Sequence, residues 1–248
     1  MDHLLYIAMS GAKENMNGMA LRSNNLANAS TTGFKADFEQ ARSMQAFGEG
    51  LPTRVFSLTE RPGQNFDAGA IIMTERELDV AIQGDGWLAV QAQDGNEAYT
   101  RSGSLQISPL GMLETVTGLP VLGDDGPIQL PVPLAKVEIA QDGTVSALPL
   151  GAPADAMVPA GRIKLVRPEN RELDKGTDGL FRRKDGQIAE ASADVSLLKG
   201  ALEGSNVNAV GEMTYMISLQ RQFEIQVKMM KSAEEMDRQQ NQLLRIVG

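Results

Sequence analysis

The sequence predicts an α+β fold in which long N- and C-terminal helices form a discontinuous coiled-coil domain around a central antiparallel β domain. Three features carry that expectation. An apolar stripe with alternating spacings of four and three runs through the first 26 residues, and a second such stripe runs through the last 40. Between them lie six Asp-Gly steps separated by short alternating segments, the pattern of strands joined by tight turns. The 248 residues then divide into 1–35 plus 205–248 as the helical domain, 36–77 as an extended or hairpin connection, and 78–204 as the β-rich domain.

The first stripe is Leu5, Met9, Ala12, Met16, Met19, Ser23 and Leu26. Its narrowness is that of a coiled-coil seam rather than the broad face of a buried globular helix. The helix is expected to stop near Asn28, because Ala29-Ser30-Thr31-Thr32-Gly33 is rich in turn formers and Gly33 is free to take a positive φ. Residues 36–77 lack long apolar stretches and carry Pro52, Pro62 and several glycines, which suits a connection.

In the middle, the Asp-Gly steps begin at Asp85, Asp94, Asp125, Asp142, Asp178 and Asp185. Alternating pieces such as Lys136-Val137-Glu138-Ile139 and Arg162-Ile163-Lys164-Leu165 read as strands. The Pro-bearing stretches 127–133 and 149–159 read as loops or edges.

From about Asn208 to Arg245 the chain has no Pro and one Gly near its start, so one long helix is expected. Its seam is Met216, Leu219, Phe223, Gln226, Met230, Ala233, Asp237, Gln240, Leu244 and Val247, with Asn206 or Asn208 as the N-cap. Two seams far apart in sequence pair with each other or with neighbouring copies. The polar positions Gln226, Asp237 and Gln240 make a lone two-helix coil marginal, which favours a multi-chain assembly.

Composition excludes several function classes. The net charge of −9 and the 4% aromatic content argue against a nucleic-acid partner, which needs surplus Lys and Arg and stacking platforms. The charge is unevenly placed: residues 1–35 carry three basic and two acidic groups, residues 209–248 five of each, and residues 36–208 fifteen basic and twenty-five acidic. Near-neutral ends can pack against copies of themselves, while an acidic middle suits a solvated outer surface. The absence of cysteine excludes a disulfide framework and thiolate chemistry. The first residues lack the basic start and apolar stretch of a signal peptide, and no run approaches a membrane span, so any export is expected to proceed without a cleaved leader.

Catalytic motifs are weak. Gly84-Asp85-Gly86-Trp87-Leu88-Ala89 fits a loose dinucleotide-binding pattern, but residues 88–95 read as a strand running into a hairpin turn, so no helix N-terminus would meet a phosphate. His3 is the only histidine and sits beside the chain start. Carboxylate pairs such as Asp124 with Asp125, or Asp79 with Asp85, could in principle serve a glycosidase, yet most acidic residues of this kind fall in Asp-Gly turns, where they cap their own backbone. No catalytic, cofactor or metal residue is assigned. A β-rich cell-wall glycan hydrolase and a surface adhesion module remain the alternatives to a structural role. The thirteen methionines suit either a core or an interface that repacks against unlike neighbours.

Four blocks carry a family resemblance. Asn24-Asn25-Leu26-Ala27-Asn28-Ala29-Ser30-Thr31-Thr32-Gly33-Phe34-Lys35 resembles the N-terminal signature of the flagellar rod and hook family. Residues 202–224 resemble its C-terminal signature, with Ser205, Asn206, Val207, Asn208, Glu212, Met213, Met216, Ile217, Arg221, Phe223 and Glu224 at matching places. Residues 78–90 and 99–107 resemble its β domain. The opening Met1-Asp2-His3, the Asn28–Gly33 form of the N-terminal signature, the segment 175–182 and the run 226–230 point to the proximal-rod branch, with the distal-rod branch close behind. Gly211 and Trp87 depart from the family's usual Glu and Phe.

The resemblance implies a structural rod subunit exported by the flagellar type III apparatus and added to the rod in the periplasm. Its partners would be copies of itself, other proximal and distal rod proteins, and the export apparatus. The terminal helices would line the inner tube with the β domain outside. The residues assigned to assembly are Leu5, Met9, Ala12, Met16, Met19, Asn24, Asn25, Leu26, Asn28, Thr32, Gly33, Phe34, Ser205, Asn206, Val207, Asn208, Met213, Met216, Ile217, Leu219, Arg221, Phe223, Glu224, Met230 and Leu244. The Asn-rich turn 24–34 and the turn 205–208 are expected to orient the helices, because Asn side chains can bond exposed backbone ends.

Overall fold

The computed structural model describes residues 2–45, 55–153 and 157–247; Pro52 lies outside them, as does the side chain of Leu244. Helix α1 (Asp2–Ala27) precedes a β-rich region, and helix α2 (Ala209–Val247) follows it, an α+β order. The chain groups into a helical unit (Met1–Ala29, Ala36–Asn65 and Val207–Gly248) and a β-rich unit (Ser30–Lys35 and Phe66–Asn206).

In the helical unit, α1 and α2 pack antiparallel. Gly11 of α1 faces Gln226, Gly18 faces Leu219, and Arg22 reaches back to Glu212 and Tyr215. The face that α1 turns inward is built of small residues: Ala8, Ala12 and Gly18 are buried, with Gly11 half-buried. A Cβ at Gly11 would stand 2.7 Å from Gln226 Nε2, so the missing side chain is what admits Gln226. This face lies one residue away from the stripe expected for α1, and Met9 and Met16 are left 55% and 59% exposed. Residue size decides the difference, because close helix approach favours Gly and Ala where a hydrophobicity pattern favours Met.

On α2, Met216, Leu219, Phe223, Gln226 and Met230 are half-buried and Ala233 is buried, whereas Asp237 is exposed. The helix starts on Asn208, whose Oδ1 accepts the Gly211 N–H at 3.1 Å, resolving the two candidate N-caps in favour of Asn208. The unit also holds an antiparallel hairpin of β1 (Asp37–Gln45) and β2 (Val55–Gln64).

The β-rich unit centres on a five-stranded antiparallel sheet. Its strands are β5 (Trp87–Gln91), β6 (Glu97–Thr100), β14 (Leu165–Val166), β15 (Leu173–Lys175) and β16 (Phe181–Arg183), in the order β14-β5-β6-β16-β15. A three-stranded sheet joins β11 (Leu134–Ile139), β12 (Thr144–Pro149) and β13 (Val158–Arg162). Short pairs complete the unit: β3 (Ile71–Met73) with β18 (Ala201–Glu203), β4 (Val80–Gln83) with β17 (Ser196–Lys199), β7 (Leu105–Ile107) with β8 (Leu113–Thr115), and β9 (Leu122–Gly123) with β10 (Gly126–Pro127). Val80, Leu88, Leu105, Leu113, Val145 and Ile163 belong to the main apolar core.

All six Asp-Gly glycines take positive φ, from 70° at Gly186 to 156° at Gly86. In four of these turns the aspartate accepts the N–H two residues on: Asp94 from Asn96, Asp142 from Thr144, Asp178 from Leu180 and Asp185 from Gln187. Each carboxylate thus satisfies its own turn. The residues after Gly84-Asp85-Gly86 form strand β5, as the sequence indicates.

A second cluster sets Trp87 against Phe181, tilted by 45° at 4.5 Å between ring centres, with Phe66 edge-on to Trp87 at 6.1 Å. Beside it the Tyr99 hydroxyl accepts the Ala189 N–H at 2.7 Å, and burial pushes the phenol up to about 12. Tyr99→Phe leaves that N–H without its acceptor and is expected to cost about 1–3 kcal/mol, read as a lower urea midpoint at unchanged m-value.

Candidate functional site

The turn residues singled out in the sequence fall into two groups. In the helical unit the buried Asn25 carboxamide makes a reciprocal pair with the Asp37 backbone: Nδ2 donates to the Asp37 carbonyl at 2.9 Å and Oδ1 accepts the Asp37 N–H at 3.0 Å. Asn25 therefore fixes the chain as it leaves α1 and enters β1, which is the role expected of Asn side chains at this turn. Its Nδ2 also approaches Glu212, whose carboxylate holds Arg22 at 3.1 and 3.2 Å. The Arg22 guanidinium lies 4.7 Å from the Tyr215 ring centre. Asn28 closes the helix end, its N–H reaching the carbonyls of Asn24 and Asn25.

Among the other residues assigned to assembly, Leu5, Met19 and Leu26 are half-buried on α1 beside the buried Ala12. Met213, Ile217, Arg221 and Glu224 are exposed on α2; Tyr6 on α1 and Val210, Ile225, Met229 and Met236 on α2, which the sequence reading did not single out, are exposed too. Both helices thus carry apolar side chains that their mutual packing leaves in water.

The second group lies in the β-rich unit and surrounds a carboxylate that the sequence reading missed. Glu203 is 1% exposed. Its Oε1 accepts from Lys35 Nζ at 2.7 Å and from the Gly69 N–H at 2.9 Å, while its Oε2 accepts from Arg101 Nη1 at 2.9 Å. Lys35, also 1% exposed, gives a further hydrogen bond to the Asp67 carbonyl at 2.7 Å, and Arg101 gives one to the Gly84 carbonyl at 2.8 Å. Two buried cations therefore share the Glu203 carboxylate.

The signature backbone is woven into this cluster. The Gly33 N–H donates to the Glu203 carbonyl at 2.7 Å, and the Asn206 N–H to the Phe34 carbonyl at 3.3 Å. Thr32 meets Ser102 at 3.3 Å between hydroxyl oxygens. Lys175 sits 3.9 Å from the Phe34 ring centre and donates to the Lys35 carbonyl at 2.9 Å. The three charged residues each stand inside a recognisable block: Lys35 closing the first signature, Arg101 in the stretch 99–107, and Glu203 opening the second signature. Their adjacency is a product of long-range pairing that a linear pattern does not encode.

Burial acts on both partners. It lowers Lys35 from its usual value, with Glu203 opposing. For Glu203 burial alone would raise the carboxyl, but the Lys35 hydrogen bond, the Gly69 N–H and the Arg101 charge together hold it below the usual glutamate value. A folded-state pKa below the unfolded one adds stability at pH above the ordinary glutamate value of about 4.3, and that stability is lost as pH falls through the lowered folded value. Acid titration of unfolding is therefore expected to show a loss of stability below about pH 4, smaller in Glu203→Gln than in the parent.

Two helices at the chain ends with exposed apolar side chains, a β-rich region between them in sequence, and interlocked signature turns are the features of a structural protein. Comparison with known proteins gives the family. Residues 5–35 match the model described as "Flagella basal body rod protein", residues 81–147 "Flagellar hook protein FlgE/F/G D1 domain", and residues 198–243 "Flagellar basal body rod FlgEFG protein C-terminal". The flagellar basal-body rod protein FlgF of Escherichia coli (strain K12) is 45% identical over 98% of this chain and 99% of its own length; that of Salmonella typhimurium (strain LT2) is 44% identical over the same shares. The rod protein FlgG of Buchnera aphidicola subsp. Acyrthosiphon pisum is 31% identical over 96% of this chain and 98% of its own.

The chain belongs to the flagellar basal-body rod protein family, as a FlgF-like structural subunit of the rod. Among the described residues no helix is long and apolar enough to cross a membrane.

Proposed function

We propose that this subunit polymerises through its terminal helices into the proximal part of the rod, where it helps to transmit torque along the axis. The observation that carries this reading is the row of exposed apolar side chains on the helix pair: Tyr6, Met9 and Met16 on α1, and Met213, Ile217 and Ile225 on α2, each at least 50% exposed. Left in water these faces are costly, and burial against neighbouring copies and other rod proteins removes that cost. In the assembly the seams act as discontinuous coiled coils, with residues 1–35 plus 205–248 as the inner helical domain, 36–77 as the connection and 78–204 as the outer domain. The assembly residues are the set assigned from the sequence, Leu244 included.

The subunit reaches the periplasm through the flagellar type III export apparatus. It takes no nucleic acid and catalyses nothing; of the carboxylates a glycan hydrolase would need, Asp79 accepts from the Ser104 hydroxyl, Asp85 meets Arg167, and Asp94, Asp142 and Asp178 accept N–H groups of their own turns.

The test is complementation of a deletion strain. Met16→Glu places a charge on an exposed position that α2 does not cover. The expected result is an isolated protein with unchanged helix content and urea midpoint, and cells that fail to build a rod and do not swim. Normal motility in that strain would remove the helices from the assembly surface.

A further inference from the structure

The chain passes between its two units at four peptide bonds, after Ala29, Lys35, Asn65 and Asn206. On the β-rich side, three segments carry those four ends: 30–35, 66–69 and 203–206. All three meet at Glu203. The first is held by the Lys35 ammonium and the Gly33 N–H, the second by the Gly69 N–H and the Asp67 carbonyl, and the third contains Glu203 itself and Asn206. Asp67 ties all three together, since its carbonyl accepts from both Lys35 Nζ and Asn206 Nδ2 at 2.7 and 3.0 Å.

We infer that the Lys35–Glu203–Arg101 cluster is a mechanical clasp that binds the entering and leaving ends of the β-rich unit to one another. Tension arriving along the chain loads this clasp before it reaches the five-stranded sheet. The chemistry suits the task. Three charge-assisted hydrogen bonds converge on one buried carboxylate, away from competing water. Arg101 anchors the clasp to the body through the Gly84 carbonyl, and its guanidinium lies 5.4 Å from the ring centre of Trp87 in the aromatic cluster. Backbone fit locks the same place: a Cβ at Gly69 would sit 2.0 Å from the Gly204 carbonyl oxygen, so segments 66–69 and 203–206 touch main chain to main chain.

The value of such a clasp rests on the torque-transmitting role proposed above, but its existence can be tested apart from that role. The chain has no cysteine, so cysteines introduced as handles are unique. The full chain is pulled in optical tweezers through handles at Ala29 and Val207, which flank the β-rich unit, and separately through handles at the Asp94 and Asp185 turns. Glu203→Gln is expected to lower the rupture force across 29 and 207 to about half of the parent value while changing the turn-to-turn force far less. Lys35→Met, which keeps the Glu203–Arg101 pair, is expected to fall between the two and serves if Glu203→Gln does not fold. Equal fractional losses in both pulling directions would make the cluster an ordinary stabilising network and overturn the clasp. Because the isolated chain is pulled, the outcome stands whatever the complementation strain does.

Discussion

Glu203→Ala is expected to cost the β-rich unit about 3–5 kcal/mol, a large part of the roughly 5–15 kcal/mol that holds a typical domain folded. The reason is the asymmetry of the cluster. Lys35 and Arg101 are 1% and 6% exposed, and Glu203 is the carboxylate paired with both. Removing it leaves two buried cations without the carboxylate they share, held only in part by the Asp67 and Gly84 carbonyls. Lys35→Met is expected to cost less, because Glu203 then keeps Arg101 and the Gly69 N–H. Replacing Lys35 and Arg101 with Met together with Glu203→Leu is expected to recover much of the loss, since packed apolar groups tolerate burial that unpaired charges do not. Urea unfolding of the three variants and the parent checks the order, which fails if the triple variant is the least stable.

Gly33→Ala is the second large effect, about 3 kcal/mol or more. Gly33 has φ 71°, and an added Cβ would lie 2.3 Å from the Arg101 carbonyl carbon and 2.4 Å from the Ser102 nitrogen. Main-chain atoms cannot swing aside as a side chain does, so the signature turn must move and strain the Gly33 hydrogen bond to Glu203. Gly95→Ala is the control: its φ is 82° but its Cβ would meet nothing within 4 Å, leaving only the left-handed penalty of about 1–2 kcal/mol. If both substitutions shift the urea midpoint equally, close approach is not what Gly33 provides.

These residues mark where sequence reasoning reaches and where it stops. The two helices, the β body and its turns were legible because their signals are local: the apolar period on α2, the Asn208 cap, and aspartates that bond two residues ahead. The inward face of α1 was not. A stripe of Met and Leu reads as a seam, yet Gly11 and Gly18 leave the room that Gln226 and Leu219 enter, and room is not scored by hydrophobicity. The same local logic found the Gly33 turn, Asn25 stood in the block that carries the family resemblance, and Glu203 was missed. A lone glutamate in a strand carries no pattern; its partners stand 168 and 102 positions away and are set by the pairing of distant segments.

Assembly through the helix pair requires that the apolar positions left exposed there be covered by neighbouring subunits in the rod. Met16→Cys and Met213→Cys, each the sole cysteine of its chain, allow that to be measured directly with a water-soluble maleimide applied to the isolated protein and to purified basal bodies. Rapid labelling of both thiols is expected in the isolated chain, and protection of both in the rod. Equal labelling of both thiols in the two states would contradict coverage by neighbours.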